Sequence, residues 1–236
     1  MPGSRVETTF HLYTYPPSSC AARIRLAFSF KNISYTSHPI DMPTLEHESA
    51  SYRALNPSGA VPTLVVETQY PGEAVEPTRF VLTQSLAILD YLDEIFLDEH
   101  ALLPARDRPA ERARVRELVH VIAEDMFPLT NARVGRWVKG IGGEEGEWER
   151  WAERVLRRGF EAYERLLERN EKDEFFSGGK FSCGDRVTMA DVCLLPQVET
   201  ARRFGVGIEG WERIKGIVER LEELEEVKRA GVRVEE

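Results

Sequence analysis

The chain has 236 residues, 42% of them hydrophobic and 30% charged, with a formal net charge of -9. That is enough for one or two domains with a sizeable core. The acidic balance, with bases interleaved among acids as in Glu111-Arg112-Ala113-Arg114, argues against a binder of nucleic-acid backbones.

No apolar run approaches the roughly 18 residues that span a bilayer, and the N-terminus lacks a charged region leading into a secretory apolar core. Cys20, Cys183 and Cys193 are odd in number and far apart, which builds neither a disulfide framework nor a metal pattern. A reducing cytosol, with no membrane, nucleic-acid or metal partner, is therefore expected.

Phe10 to Tyr15 reads as a strand, which Pro16-Pro17 ends because proline fixes φ and lacks a donor. From Ala21 onward Ile24, Ala27 and Phe28 recur at helical spacing, preceded by serines suited to cap the first turn. Ser18, Ser19 and Cys20 thus fall beside unpaired N–H groups at the positive end of a helix dipole, a place that favours a thiolate over a thiol. Lowering an ordinary thiol by about two pKa units takes about 2.7 kcal/mol. An N-cap alone would also account for either serine.

Ser34 to Ile40 is a second strand, and the polar segment around Glu46-His47-Glu48 contains a short helix. Pro62 to Glu67 and Arg79 to Leu82 are the third and fourth strands. Their long connection, with Pro71, Gly72 and Pro77, reads as a surface hairpin extension. Gln84 to Phe96 is a helix with Leu86, Ile88, Leu89, Leu92 and Phe96 inward, capped by Thr83 or Ser85 unless its N-terminus holds an anion.

Beyond Leu102-Leu103-Pro104 only helical periodicity remains, over residues 109–139 (kinked by Pro128), 148–170, 188–204 and 211–224. Thr188-Met189-Ala190-Asp191 has the spacing of a capping box, and residues 225–236 read as charged and frayed. The pattern is a small α/β domain followed by an all-α one, with a linker near residues 98–108.

Ser18-Ser19-Cys20-Ala21-Ala22-Arg23, Ala54-Leu55-Asn56-Pro57, Val61-Pro62-Thr63-Leu64, Thr83-Gln84-Ser85-Leu86-Ala87-Ile88 and Thr188-Met189-Ala190-Asp191 follow one another in order. Together they resemble the zeta-class glutathione transferases, the family that includes maleylacetoacetate isomerase, over most of residues 10–224. The resemblance implies a thioredoxin-like glutathione-binding domain over residues 8–99. It implies a helical domain over residues 107–228 that forms the second-substrate pocket. It also implies a homodimer.

By the same resemblance Ser18 donates to the glutathione sulfur, with Ser19 and Cys20 lining the pocket. Val61, joined to Pro62 by a cis bond, pairs its backbone with the cysteinyl backbone in the manner of strand addition. Gln84 and Ser85 hold the γ-glutamyl carboxylate, His47 the glycyl carboxylate, and Asn131 lies near the tripeptide. Arg23 and Arg203 offer guanidinium forks to a dicarboxylate substrate. Thr188 to Asp191 serves folding.

Phe127, Ala60 and Pro17 depart from residues common in the family, as does His47, which stands where glutamine is frequent. The activity implied is glutathione-dependent cis–trans isomerisation of maleylacetoacetate to fumarylacetoacetate in tyrosine and phenylalanine catabolism. A transferase acting on small electrophiles such as α-haloacids is the alternative, and a non-catalytic interaction module of the same fold is a third possibility.

Overall fold

The computed structural model describes residues 6–70, 76–97, 100–173 and 178–232. The chain divides into two compact units between His100 and Ala101. The first holds β1 (Glu7–Thr14), α1 (Ser19–Phe30), β2 (Thr36–Pro39), a 3₁₀ turn (Glu46–Glu48), α2 (Ala50–Leu55), β3 (Thr63–Gln69), β4 (Thr78–Thr83) and α3 (Ser85–Ile95). Its four strands lie in the order β2-β1-β3-β4. β1 and β2 are parallel, as a helical crossover through α1 allows, whereas β3 is antiparallel to both β1 and β4.

Strand alternation sets the inward face. Phe10, Leu12 and Thr14 of β1 are buried while His11 and Tyr13 are half-buried. β3 is an inner strand whose Leu64, Val65 and Val66 are all buried, so both of its faces are covered. Part of the β3–β4 connection, residues 71–75 with Pro71 and Gly72, lies outside the described residues.

Every residue of α1 from Ser19 to Phe28 is buried. The helix nevertheless ends on a cation: Lys31 is 1% exposed. Its ammonium donates to Asp93 Oδ1 at 2.9 Å and to the carbonyls of Phe96 at 3.2 Å and His100 at 3.0 Å. An ammonium has three donors, and three acceptors meet it. The contacts tie the end of α1 to the end of α3 and to the last stretch of the unit.

The second unit consists of α4 (Pro109–His120), α5 (Ala132–Gly140), α6 (Glu147–Glu171), α7 (Met189–Arg203), α8 (Glu212–Glu223) and α9 (Glu225–Ala230). Residues 109–139 form two helices rather than one kinked helix. α4 widens into a π-helical turn at Val121–Met126, with Phe127 N–H donating five residues back to the Ile122 carbonyl at 2.8 Å. Pro128 then opens a 3₁₀ turn, and Asn131 starts a new helix. Proline cannot continue the i→i−4 ladder, so the chain unwinds ahead of it and restarts beyond it.

Residues 225–232 are also more ordered than their charge suggests, while 233–236 lie outside the described residues. Val227 and Ala230, three residues apart on α9, are both buried, and Gly231 at φ +57° ends the helix. Among the described residues no helix is long and apolar enough to cross a membrane.

Replacing Lys31 by methionine leaves the buried Asp93 carboxylate and two carbonyls without their donor. A loss of about 3–5 kcal/mol in unfolding free energy is expected, read by urea denaturation.

Candidate functional site

The turn between β1 and α1 is closed by the Ser18 N–H donating to the Tyr15 carbonyl at 2.9 Å. Ser18 is the N-cap of α1, with φ -72° and ψ 116°, and its Oγ accepts from the Ala21 N–H at 3.2 Å. Capping leaves this hydroxyl a second use. The cap uses an oxygen lone pair, and the hydroxyl hydrogen stays available to donate.

Ser19 and Cys20 are buried in the first turn, where the helix leaves N–H groups outside its own ladder. A hydrogen bond to a charged acceptor contributes about 1.5–3 kcal/mol and a helix terminus about 0.3–1 kcal/mol. Together they match the 2.7 kcal/mol that a two-unit shift of a thiol needs.

A second helix terminus stands at α3. Neither Thr83 nor Ser85 caps it: Gln84 is the N-cap, it makes no side-chain cap bond, and its φ is +71°. A non-glycine residue held in that region marks backbone strain of the kind that gathers at ligand sites.

Ser85 is the first helical residue, and its Oγ accepts from Arg23 Nη1 at 3.1 Å. Arg23 is 1% exposed, so it is not the open fork expected for a dicarboxylate. Its guanidinium is buried between α1 and α3 because Ser85 accepts it there, and it ties the two helix starts together. As with Ser18, the accepting lone pair leaves the Ser85 hydroxyl hydrogen free to donate.

The third segment precedes β3. The Val61–Pro62 bond is cis. Tyr52 Oη and Asn56 Nδ2 both donate to the Ala60 carbonyl, at 2.8 and 2.7 Å, and Asn56 Nδ2 also reaches Thr63 Oγ1 at 2.9 Å. Tyr52, Asn56 and Thr63 are all buried, and burial raises the Tyr52 phenol above its ordinary range.

Val61 also packs in one apolar cluster with Ala21, Ile40 and Tyr52. The helix start at Ser18 and the loop at Val61 therefore share a core. Because β3 is an inner strand that begins at Thr63, Val61 lies beyond the end of the ladder and not along a lateral edge of the sheet.

His47 is 2% exposed, and its carbonyl lies 3.1 Å from where a Cβ on Gly59 would sit. Gly59 has φ +55°, so glycine suits both the conformation and the space. The His47 ring is thus packed within the turn, with Nε2 3.5 Å from Glu48 Oε1, and does not stand open as a carboxylate contact would.

In the helical unit Asn131 caps α5, its Oδ1 accepting from the Arg133 N–H at 2.9 Å. Arg203 is the last residue of α7, exposed, and donates from Nη2 to Thr200 Oγ1 at 3.0 Å. The capping box at Thr188 is present. Asp191 accepts from the N–H groups of Thr188 and Ser182, at 2.7 and 2.8 Å, and from the Thr188 hydroxyl at 2.9 Å. Burial outweighs these bonds and raises the Asp191 carboxyl above its ordinary range.

None of the three cysteines is in a disulfide. Among the described residues no group of three or more His, Cys, Asp or Glu could hold a metal ion.

Two contributors to this arrangement escaped the reading of the sequence. Tyr52 lies four residues before Asn56 on α2, a spacing that could have revealed the pair. Arg25 donates to Thr14 Oγ1 at 3.1 Å and to the Pro16 carbonyl at 3.0 Å, and nothing in the local pattern signals a partner upstream of its own helix.

A family model described as glutathione S-transferase, N-terminal domain, matches residues 17–95. The maleylacetoacetate isomerase maiA of Aspergillus fumigatus is 43% identical over 225 residues, 95% of this chain and 90% of that one. Among solved structures, a bacterial zeta-class maleyl pyruvate isomerase aligns with TM-score 0.81 and 33% identity, covering 94% of this chain and 96% of its own. The maleylacetoacetate isomerase of Anaeromyxobacter dehalogenans, with dicarboxyethyl glutathione and citrate bound in its active site, aligns with TM-score 0.77 and 32% identity, over 95% of this chain and 91% of its own.

Two outcomes are expected. Asn56→Ala removes a donor shared by Ala60 and Thr63 and should cost about 1–3 kcal/mol in urea denaturation. Burial, reinforced by the Asp191 carboxylate, pushes the Cys183 thiol up to about 12. It is therefore neutral and unreactive below that pH, and iodoacetamide at pH 9 should leave it unmodified in the native chain but not in the unfolded one, as read by peptide mass spectrometry.

Proposed function

The chain belongs to the zeta-class glutathione transferase family, which includes the maleylacetoacetate isomerases, and we propose that it isomerises maleylacetoacetate to fumarylacetoacetate with glutathione as cofactor. The observation that carries the reading is the dual use of Ser18: its oxygen caps α1 while its hydrogen remains to be donated. The chain also fits the tripeptide in its other parts. Two helix N-termini suit a thiolate and a carboxylate, and a fixed loop at Val61 suits an extended backbone.

Bound glutathione supplies a thiolate that adds to the conjugated cis double bond, allows rotation about the resulting single bond, and leaves unchanged when the trans double bond reforms. The Ser18 hydroxyl donates to the sulfur and, with the α1 N-terminus, keeps it anionic. Ser19 and Cys20 line the sulfur site. Val61, ahead of Pro62, orients the cysteinyl backbone, while Gln84 and Ser85 bind the γ-glutamyl carboxylate at the start of α3. Arg23 acts by holding Ser85.

In the helical unit Asn131 contributes to binding the tripeptide, and Arg203 receives a carboxylate of the substrate. The protein's share of the rate enhancement is positioning and electrostatic stabilisation. The protein acts as a homodimer, and in the cytoplasm, a compartment in keeping with three cysteines that form no disulfide.

An isomerase regenerates glutathione, so turnover should continue at substoichiometric glutathione. Stoichiometric consumption would identify a conjugating transferase instead. Ser18→Ala removes one charge-assisted hydrogen bond of about 1.5–3 kcal/mol, so kcat should fall by about 10–150-fold with little change in glutathione affinity. Ser18→Thr, which keeps hydroxyl and cap, should retain most of the rate. Equal kcat for Ser18→Ala and wild type would remove Ser18 from the mechanism.

A further inference from the structure

The turn that carries Ser18 is unusual in its composition. Its two central residues are Pro16 and Pro17, so neither offers an N–H to any acceptor. A proline in the third position drives the residue before it out of the αR region, which disfavours a type I turn. A type II turn would need positive φ at Pro17, which its ring forbids. A type VI turn needs a cis bond there, and among the described residues the cis peptide is Val61–Pro62. The two prolines thus deprive the segment of two backbone donors, and its closing bond runs from the Ser18 N–H to the Tyr15 carbonyl at 2.9 Å.

Arg25 supplies support from outside the turn. It lies in the second turn of α1 and is buried. From there it reaches back past the helix start. Nη1 donates to Thr14 Oγ1, on the last residue of β1, at 3.1 Å, and Nη2 donates to the Pro16 carbonyl at 3.0 Å. Thr14 is itself anchored, since its carbonyl accepts from the Ile40 N–H at 2.8 Å.

The planar guanidinium thus spans from a fixed strand end to the peptide plane between the two prolines, two residues ahead of the Ser18 hydroxyl. A fork of this kind sets an orientation as well as a distance, which a single-point ammonium cannot do. Burial also lowers the Arg25 pKa from its ordinary value, the mark of a guanidinium that has exchanged water for protein acceptors.

We propose that Arg25 is a positioning residue for the reaction: by bridging Thr14 and the Pro16 carbonyl it holds the Pro16-Pro17 turn so that the Ser18 hydroxyl points at the glutathione sulfur. The inference rests on the role proposed for Ser18 and specifies what keeps that hydroxyl aimed. Arg25 is assigned no contact with substrate or cofactor. Its effect passes entirely through the turn.

The test is an ultraviolet titration of thiolate absorbance with glutathione saturating the folded protein, compared for wild type, Arg25→Lys, Arg25→Met and Thr14→Val. In wild type the midpoint should lie below that of free glutathione. Arg25→Lys keeps the positive charge but loses the fork, so its midpoint should rise by about one pH unit, a tenfold loss of thiolate when both are compared at a pH well below the two midpoints. kcat should fall by a similar factor while the glutathione Kd changes by less than about threefold.

Arg25→Met should match Arg25→Lys. Thr14→Val, which removes only the strand-side acceptor and keeps the turn's own residues, should shift the midpoint in the same direction by a smaller amount, and it serves if the arginine variants do not fold. A depressed wild-type midpoint that persists in Arg25→Lys or Thr14→Val would overturn the positioning role and leave the Ser18 mechanism standing. A wild-type midpoint equal to that of free glutathione would overturn the Ser18 mechanism and this inference with it.

Discussion

The arrangement of the first unit follows from burying a helix that carries three cationic side chains. α1 is covered from Ser19 to Phe28, yet Arg23, Arg25 and Lys31 all lie inside. A charged group removed from water needs protein acceptors in proportion to its donors. Arg23 meets Ser85 at the start of α3, Arg25 meets Thr14 and Pro16 before its own helix, and Lys31 meets Asp93, Phe96 and His100. The requirement that makes these residues costly to bury makes them precise connectors. Each fixes one end of α1 against another element, and two of the three fix elements that frame the candidate site.

That site uses directional groups more than net charge. A chain of formal charge -9 is proposed to hold an anionic tripeptide and an anionic substrate, which is reasonable because local dipoles and donors dominate at contact distance while distant surface charge is screened. Ser18 and Ser85 share one design. Each hydroxyl oxygen accepts from a group behind it, Ala21 N–H in one case and Arg23 in the other, which orients the hydroxyl and polarises it as a donor. The segment before β3 is treated in the same way: Tyr52 and Asn56 converge on the single carbonyl of Ala60, so the backbone at Val61 is held by side chains from outside the strand.

The helical unit shows how a local signal can be right about cause and wrong about extent. Pro128 marks a break, but the disturbance begins several residues earlier as a π-helical turn and ends only when Asn131 caps a new helix. Gly159 on α6 is packed so closely against Met126 that a Cβ there would collide with the Met126 side chain. The widened turn is therefore fitted to a neighbour, and the distance along the chain from Met126 to Gly159 hides the fit from any local reading. At the other end, the charged segment after residue 224 still forms α9, because two apolar residues at helical spacing, Val227 and Ala230, suffice to bury one face.

What the chain declares by itself is what arises within a few residues. Strand alternation in β1, the serine cap at Ser18, the Thr188–Asp191 box and the change from mixed to purely helical periodicity after Leu103 all depend on neighbours in sequence, and all are legible there. The partners of Arg23, Arg25 and Lys31 depend on residues that folding alone brings near. An arginine in an isolated string reads equally as a fork for substrate or as a strut. Burial decides between them, since a guanidinium closed off from solvent must spend its donors on the acceptors that enclose it, and only the packed structure says which those are.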